Sequence, residues 1–256
     1  MPQDEFASTE QGQTSNLQGE NGGDHLTSCY DYLRKSLQGD RTTPRTPCFA
    51  SEEKAITQWA RRVGLLLEDL DFLKNFRKGG QEHDIFLRGD RMFKLTKHRV
   101  FGLTAGIDLA LVASGQEARR FHLWEATPLQ YIQRLLLQNY LVPRLNRLEG
   151  VVKASANDLA IITSQPYFEH VPVNQAEIDQ WFDSLGFIKV TSSGYYRKED
   201  NLGIFDAHDK NLFRDGDILI PFDVIPCHPE GGFLTFIEES IQAGHRVESV
   251  RSSSIL

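Results

Sequence analysis

This sequence has little of what marks secreted, membrane or nucleic-acid-binding proteins. Its 256 residues include three cysteines, and the formal net charge is −7. Cys29, Cys48 and Cys227 lack the spacing of metal ligands, which predicts reduced thiols in a cytoplasmic protein. No apolar run reaches the roughly 18 residues of a membrane span, and the segment Met1–Glu5 does not open a signal peptide. The acidic balance also disfavours nucleic-acid partners, which usually bind basic domains.

The two ends of the chain are polar. Residues 1–25 are rich in Gln, Glu, Gly, Ser and Thr, and they cannot bury enough apolar surface to offset their chain entropy. Residues 27–38 have the composition of a short helix that forms on binding, and the proline-containing segment 39–48 is typical of a linker. We therefore predict a disordered tail and linker over 1–50, a folded domain over 51–244 and a disordered tail over 245–256.

The central segment is predicted to alternate helices with hairpins. Apolar residues recur at helical spacing from Ser51 to Phe76. Asn174 and Glu177 have the spacing of a capping box that opens another helix. Helices are predicted over 51–76, 128–141, 175–185 and 233–243, and hairpins over 84–95, 151–163 and 211–220. The predicted fold class is α+β.

Three polar residues near the end of this segment have the spacing of a phosphoryl-transfer site. Asp206 stands five residues before Asn211, and Asp223 ends the next apolar run. In kinases the first Asp orients the acceptor hydroxyl, while the Asn and the second Asp hold Mg²⁺. Such oxygen donors are the ligands that Mg²⁺ selects. The same side chains can instead cap turns or end a strand, as Asx residues commonly do.

Two upstream features favour the catalytic interpretation. Lys94 lies in a strand-like apolar run, and from an inward-facing position it would reach nucleotide phosphates. On an alternating strand it would face solvent instead, as most lysines do. Gly79 and Gly80 allow the backbone to approach phosphates closely, although glycines also end helices.

A third upstream feature predicts a hinge. An apolar strand over 159–162 runs into Ser164, Gln165 and Pro166, which resembles the connection between two lobes. Backbone groups over 163–167 are then expected to bind the edge of an adenine base. Without the other features this segment would be only the end of a strand.

The order of these features resembles known kinase families. The core Asp206-Ala207-His208-Asp209-Lys210-Asn211 is similar to the D-x-H-x-x-N core of aminoglycoside-phosphotransferase-type kinases. Residues from about 55 to 226 resemble the polyvalent protein kinase family of bacterial mobile elements. The stretches that carry this second resemblance are Gly79–Asp84, Arg91–Thr96, Thr127–Leu135, Leu148–Val151, Thr163–Pro166, Gly186–Phe187 and Asp206–Asp223.

The resemblance implies a two-lobed protein-kinase-like fold, with an N-lobe over about 51–163 and a reduced C-lobe over about 168–244. It also implies that Lys94 binds phosphate and that Asp206 is the catalytic Asp. Asn211 and Asp223 become metal ligands, with ATP and Mg²⁺ as cofactors.

One position departs from the kinase pattern. A kinase pairs its strand lysine with a helix glutamate, but the helix 128–141 offers Gln130 and Gln133 there. Glu117 and Glu125 lie upstream as substitutes. A neutral Gln would leave Lys94 without its charge partner.

Three functions follow in order of preference. The first is an ATP- and Mg²⁺-dependent phosphotransferase whose hydroxyl acceptor is a protein or a small molecule, with neither nucleic acid nor membrane as partner. The second, motivated by the helix glutamines, is a pseudokinase that binds nucleotide or protein without turnover. The third is a metallophosphoesterase in which Asp206, His208, Asp223 and His228 gather metal ions.

Overall fold

The computed structural model describes residues 22–37, 49–68, 71–80, 82–98, 100–107, 120–153, 159–168, 171–216, 218–242 and 248–251. These residues form an α+β fold with five α-helices and a mixed main sheet. The helices are α1 (Gly22–Leu37), α2 (Phe49–Val63), α3 (Pro128–Leu141), α4 (Gln175–Ser184) and α5 (Gly232–Gln242). None of the described helices combines the length and apolar character that a membrane span needs.

Fourteen strands complete the described secondary structure. They are β1 (Leu66–Leu67), β2 (His83–Arg88), β3 (Arg91–Thr96), β4 (Leu103–Gly106), β5 (Arg120–Glu125), β6 (Arg147–Lys153), β7 (Leu159–Pro166), β8 (Ile188–Lys189), β9 (Tyr195–Arg197), β10 (Leu202–Phe205), β11 (Phe213–Asp215), β12 (Ile218–Ile220), β13 (Ile225–Cys227) and β14 (Glu248–Arg251). A 3₁₀ segment, Asp71–Asn75, lies between β1 and β2.

The main sheet has the strand order β1-β6-β7-β3-β2. The β1–β6 pair is parallel and the other pairs are antiparallel. Gly89, at a φ of +60°, turns β2 into β3, so the hairpin predicted over 84–95 is confirmed. Because side chains alternate along a strand, Phe93 packs in an apolar cluster on one face while Lys94 faces the other.

Helix α3 lies at the centre of the fold and agrees with its prediction in both bounds. Thr127 and Gln130 form a capping box, and Pro128 occupies the first turn, where its missing N–H costs nothing. Tyr131 and Ile132 are buried in the core cluster that α3 shares with α1, α2 and the main sheet.

The structure corrects the prediction of a disordered tail over 1–50. Helix α1 packs against α2 and α3, and its Leu26, Cys29 and Leu33 side chains are fully buried. Burial of these three side chains stabilises a helix whose overall composition is polar. The fold therefore includes Gly22–Leu37, while residues 1–21 and 38–48 lie outside the described part of the chain.

The helix predicted over 51–76 is also corrected. Helix α2 begins at Phe49 and ends at Val63, where Gly64 adopts a φ of +76°. The apolar residues that continue the helical spacing belong instead to β1 and to the 3₁₀ segment. Leu66 pairs with Val151 in the main sheet. The helical spacing of apolar residues after Val63 therefore came from side chains that are buried in other elements.

The remaining elements surround the predicted catalytic segment. An antiparallel sheet of order β13-β10-β9-β8 and the hairpin β11–β12 flank residues 206–212. The hairpin predicted over 211–220 and the helices predicted over 175–185 and 233–243 are confirmed within one or two residues. Strand β14 pairs with β5 in parallel. The prediction of a disordered tail over 245–256 is therefore corrected for Glu248–Arg251. The division into two lobes stays a prediction.

Candidate active site

Lys94 and Asp223 meet although one lies in β3 and the other follows β12. Lys94 Nζ lies 3.7 Å from Asp223 Oδ1, and the Lys94 side chain is only 12% exposed. The ammonium also lies 5.7 Å from the centre of the Phe222 ring, in a cation–π arrangement. Lys94 therefore faces the interior rather than solvent.

Asp223 is held by a second cation from α3. Arg134 Nη2 donates to Asp223 Oδ1 at 3.1 Å and to the Asp223 carbonyl at 3.2 Å. Burial raises the pKa of Asp223, but the charges of Lys94 and Arg134 outweigh this effect and hold the pKa below its ordinary value. The carboxylate is therefore ionised at neutral pH.

Arg134 is the functional residue that sequence reasoning missed. Its side chain is 5% exposed, and Nη1 donates to Glu82 Oε2 at 3.0 Å. Its Nε donates to the Val224 carbonyl at 3.1 Å, and Gln138 Nε2 donates to the same oxygen at 2.8 Å. Burial lowers the pKa of Arg134, but Glu82 and Asp223 together raise it above its ordinary value. Helix α3 is thus bonded directly to the segment that carries Asp223.

Helix α3 contains no glutamate, and its Arg134 pairs with Glu82, just before β2. Gln130 accepts a hydrogen bond from the Thr127 N–H at 2.9 Å, so it caps its own helix rather than contacting Lys94. Glu125 is exposed, and Glu117 lies outside the described residues. Glu82 neutralises Arg134, and Arg134 occupies the space beside Asp223 from the helix side.

A neutral histidine lies on the same sheet face as Lys94. His83 Nε2 and the Tyr131 hydroxyl are 3.0 Å apart, and that hydroxyl lies 3.4 Å from Thr163 Oγ1. Burial and the nearby charge of Lys94 lower the pKa of His83 to about 3. His83 therefore adds no charge to the site at neutral pH.

The Asp206 loop has the hydrogen bonds of an organised turn. Asp206 has a φ of +56°, in the left-handed region. Asn211 Nδ2 donates to the Asp206 carbonyl at 2.8 Å and to Asp206 Oδ2 at 3.0 Å. The Asp223 N–H lies 3.4 Å from the Asn211 carbonyl, which joins the loop to the segment after β12. The structure thus brings Asp206, Asn211 and Asp223 into one region.

His208 orients the same loop. Its Nδ1 accepts a hydrogen bond from the Lys210 N–H at 3.2 Å. His208 Nε2 lies 3.6 Å from Asp206 Oδ1. The other face of the loop is tied to the Ser193 carbonyl through the Ala207 N–H at 2.9 Å.

The donor set fits a magnesium ion that phosphates help to hold. Asn211 donates a hydrogen bond from Nδ2 to Asp206, so its Oδ1 is oriented away from that carboxylate. Asp223 supplies the oxygens of an ionised carboxylate. Mg²⁺ takes one or two protein oxygens and completes its shell with phosphates and water. No cluster of three His, Cys, Asp or Glu that could hold a metal occurs among the described residues, and His228 contacts the Asn201 carbonyl instead. Among the described residues, Asp206, His208, Asp223 and His228 thus do not form such a cluster.

Gly79 and Gly80 lie at the turn that leads into β2. A Cβ on Gly79 would come within 2.4 Å of the His83 carbonyl and 3.3 Å of Ile85 Cγ2. Gly79 is therefore required for this close approach. Its N–H is 3.3 Å from Asp84 Oδ1, while the Gly80 carbonyl accepts from Lys97 Nζ at 2.6 Å. The backbone of Arg77 pairs with Ile85, so the glycine turn lies beside the edge of β2, one strand away from Lys94.

The predicted hinge is strand rather than linker as far as Pro166. Ser164, Gln165 and Pro166 pair with β3. The Ser164 carbonyl accepts from Arg91 Nη2 at 3.0 Å and its hydroxyl donates to Glu149, so its polar groups are already used. Gln165 is opposite Met92 and faces the same side as Lys94. Strand β7 ends at Pro166, so a linker after it stays a prediction.

The comparisons with known proteins agree with this arrangement. Residues 120–226 match the family model described as Serine/Threonine/Tyrosine Kinase found in polyvalent proteins. The matched segment includes Arg134, Asp206, Asn211 and Asp223, and it begins after Lys94. No curated protein and no solved structure matches the chain. The similarity to aminoglycoside-phosphotransferase-type kinases stays a prediction. The match confirms the resemblance to the polyvalent protein kinase family over residues 120–226.

Proposed function

We propose that this protein is an ATP- and Mg²⁺-dependent phosphotransferase. The observation that carries the proposal is the ion pair between Lys94 of β3 and Asp223, beside the loop in which Asn211 holds Asp206. A kinase needs a phosphate-binding lysine and a metal-binding Asp on opposite sides of the triphosphate. Lys94 and Asp223 lie side by side here, in a chain whose residues 120–226 match a kinase family model, and this pairing supports the proposal.

The proposed chemistry assigns a role to each residue. Lys94 binds the nucleotide phosphates, and Asn211 and Asp223 hold Mg²⁺, which when bound neutralises phosphate charge. The acceptor hydroxyl forms a bond to the γ-phosphorus, the bond to ADP breaks with its electron pair leaving on ADP, and Asp206 receives the hydroxyl proton. Asn211 orients Asp206 through the 3.0 Å hydrogen bond. Such a proton acceptor contributes about 10²–10⁴-fold to the rate.

An apolar shelf beside Lys94 supports the nucleotide part of the proposal. Ile85 and Leu87 of β2 are 39% and 54% exposed, which is high for large apolar side chains. They pair with Lys94 and Met92 respectively, so all four side chains are on one sheet face. A purine ring stacked on this shelf would cover the apolar surface and direct its phosphates to Lys94 and the glycine turn.

A pseudokinase is the second candidate, and a specific contact favours it. Arg134 and Lys94 both approach Asp223 Oδ1, so two cations compete with a metal ion for that carboxylate. In this alternative the domain binds nucleotide and does not transfer phosphate.

ATP turnover by the purified full chain tests the proposal. The parent should release phosphate or autophosphorylate in the presence of Mg²⁺, and Asp206→Asn should lower that rate by about 10²–10⁴-fold while ATP still binds. Asp209→Asn is a matched control, because it makes the same change in the same loop on a side chain that is 64% exposed. ATP binding without turnover in the parent would favour the pseudokinase, and equal rates for Asp206→Asn and the parent would refute the assignment of Asp206.

A further inference from the structure

The two oxygens of the Asp223 carboxylate have different surroundings. Lys94 and Arg134 both approach Oδ1, at 3.7 Å and 3.1 Å. No hydrogen bond to Oδ2 occurs among the residues that the structure describes, and the side chain is 36% exposed. Oδ2 is therefore the oxygen that a metal ion can take without displacing a protein cation.

Arg134 is held beside Oδ1 from several sides. Its Nε donates to the Val224 carbonyl at 3.1 Å, its Nη2 to the Asp223 carbonyl at 3.2 Å, and its Nη1 to Glu82 Oε2 at 3.0 Å. The backbone also packs on this ion pair at Gly102, which has a φ of +79°. A Cβ there would come within 2.9 Å of both Arg134 Nη1 and Glu82 Oε2. The guanidinium is therefore fixed in place before any ligand binds.

Lys94 is anchored less firmly than Arg134. Its Nζ lies 3.7 Å from Asp223 Oδ1, which is longer than a hydrogen bond, and 5.7 Å from the centre of the Phe222 ring. A lysine ammonium is a point charge on a flexible stem, whereas a guanidinium is a rigid fork of donors. When nucleotide phosphates bind, Lys94 can turn to them while Arg134 stays on Oδ1.

We propose that this site holds a single divalent cation, because Arg134 occupies on Asp223 Oδ1 the place of a second one. Protein kinases hold two Mg²⁺ ions with the corresponding Asp and Asn. The inference rests on the proposed function and assigns to Arg134 the role of a positioning residue, which presents Oδ2 to the one ion. It concerns the number of metal ions rather than the identity of the ligands.

Electrostatic repulsion keeps a second ion away from Oδ1. Mg²⁺ binds oxygen at about 2.1 Å, so an ion on Oδ1 would lie within about 5 Å of Arg134 Nη2, which is 3.1 Å from the same oxygen. Like charges at this distance repel, and the repulsion is strong where water is scarce. The first ion avoids this repulsion by taking Asp223 Oδ2 and Asn211 Oδ1. One or two protein oxygens are enough for Mg²⁺ when phosphates and water complete its shell.

Metal counting on the full chain tests the proposal. Mn²⁺ replaces Mg²⁺ as a paramagnetic probe, and the β,γ-imido analogue of ATP prevents turnover. Electron paramagnetic resonance should show about one bound Mn²⁺ per chain in the parent. Arg134→Gln/Glu82→Gln frees Oδ1 without changing the net charge, so a second ion should bind at least about tenfold more tightly than in the parent. Lys198→Gln/Glu238→Gln removes an exposed ion pair and should keep the parent count.

A conservative variant separates this role from a purely structural one. Arg134→Lys keeps a cation near Oδ1, so it should bind about one ion, as the parent does. If Arg134 only stabilised the fold, its loss would weaken binding of nucleotide and metal without adding an ion. A second ion that binds equally tightly in Arg134→Lys and in the double variant would contradict the role of the charge.

Each further outcome is decisive. A parent that binds two ions with similar affinity overturns the inference and leaves the phosphotransferase proposal intact. A double variant that folds but binds its second ion no more tightly than the parent also overturns it. A parent that binds no nucleotide overturns the proposed function and the inference together. If the double variant does not fold, ATP turnover by the parent decides: at saturating Mg²⁺–ATP, added free Mg²⁺ should not raise the rate, and a further rise would show a second ion at work.

Discussion

Arg134 and Lys94 share one oxygen of Asp223: the guanidinium donates to Oδ1 at 3.1 Å and the ammonium lies 3.7 Å from the same atom. The helix therefore contributes a cation where a kinase usually contributes a glutamate. Glu82 balances that cation from the segment before β2. The charge partner of Lys94 in this structure is the proposed metal ligand itself, so the nucleotide complex requires Mg²⁺ to compete with two side chains for Asp223.

The buried Arg134 network should dominate local stability. Arg134→Leu leaves Glu82 and Asp223 without their main cation, and we expect a loss of about 3–5 kcal/mol in the free energy of unfolding, measured by urea denaturation. The double variant Arg134→Leu/Glu82→Leu should recover much of that loss, because it removes one of the stranded charges. Arg61→Leu on the exposed surface of α2 serves as the control. A loss within about 0.5 kcal/mol would contradict the role of the network.

Nucleotide binding should depend on the Asp223 carboxylate. At ATP and Mg²⁺ concentrations about 100-fold above the dissociation constant, binding adds about 2.7 kcal/mol, which raises the midpoint of thermal unfolding by about 5–10 °C in a protein of this size. Asp223→Asn should lose most of this shift, measured from its own ligand-free midpoint. Asp215→Asn changes an exposed carboxylate of β11 and should keep it. A full shift in Asp223→Asn would mean that the metal is held elsewhere.

The same chemical change should have opposite effects at two buried glutamines. Gln165→Met removes an acceptor that has no partner. We therefore expect the free energy of unfolding of the ligand-free protein to rise by about 1 kcal/mol, and the midpoint of thermal unfolding by about 2–4 °C. Gln138→Met removes two good hydrogen bonds, at 2.8 Å to the Val224 carbonyl and at 2.8 Å from Asn146 Nδ2. This second variant should lose about 2 kcal/mol or more. Destabilisation of similar size in both variants would show that the Gln165 amide is satisfied in the free protein.

Acid should destabilise the fold through His83. Its pKa is depressed to about 3 in the folded protein from an ordinary value of 6.5, so the unfolded chain binds the proton first as the pH falls. Stability is therefore fully present above about pH 6.5 and falls towards pH 3, by up to about 1.4 kcal/mol per pH unit for this group. Between pH 7 and pH 5 the parent should lose about 2 kcal/mol more than His83→Gln. Urea denaturation at the two pH values measures these losses. If the parent and His83→Gln lose the same free energy of unfolding, His83 is ruled out as the titrating group.

The N-terminal helix should behave as part of the core. Leu33 is fully buried between α1 and its neighbours, and Leu33→Ala should cost about 2–5 kcal/mol in the free energy of unfolding. Lys35→Ala, on the exposed side of the same helix, should change stability by less than about 0.5 kcal/mol. Similar values for the two variants would indicate that α1 is not packed in solution.

The sequence predicted correctly those elements whose ends carry capping or turn residues. Helix α3 agrees in both bounds because Thr127, Pro128 and Gln130 cap it. The β2–β3 hairpin agrees because Gly89 supplies the positive φ that the turn requires. Helix α1 carries no comparable signal, since its few apolar side chains are stabilised only by tertiary contacts with α2 and α3. The sequence therefore predicted only a short helix over 27–38 that forms on binding, within a segment predicted to be disordered.

The candidate site could be predicted only where its residues are close together in the sequence, so that their spacing determines whether they meet. Asp206 and Asn211 are joined by local hydrogen bonds, so their spacing carried information. The pair of Arg134 with Glu82 and Asp223 depends on contacts between distant parts of the chain. A signal was present in the sequence, since Arg134 is on the same helix face as the buried Tyr131 and Leu135, where a charge requires a partner. The identity of that partner needed the folded structure.

The left-handed backbone conformation of Asp206 lowers stability at a position where the proposed chemistry requires a carboxylate. A residue with a side chain at a φ of +56° stores about 1 kcal/mol or more of conformational strain, which glycine would relieve. Glycine would also remove the carboxylate that the proposed chemistry requires. Selection for robustness alone would favour Gly at this turn, whereas selection for catalysis keeps Asp. A relative of this chain that has abandoned phosphate transfer is therefore expected to drift to Gly or Asn at position 206 and to gain stability as it does so.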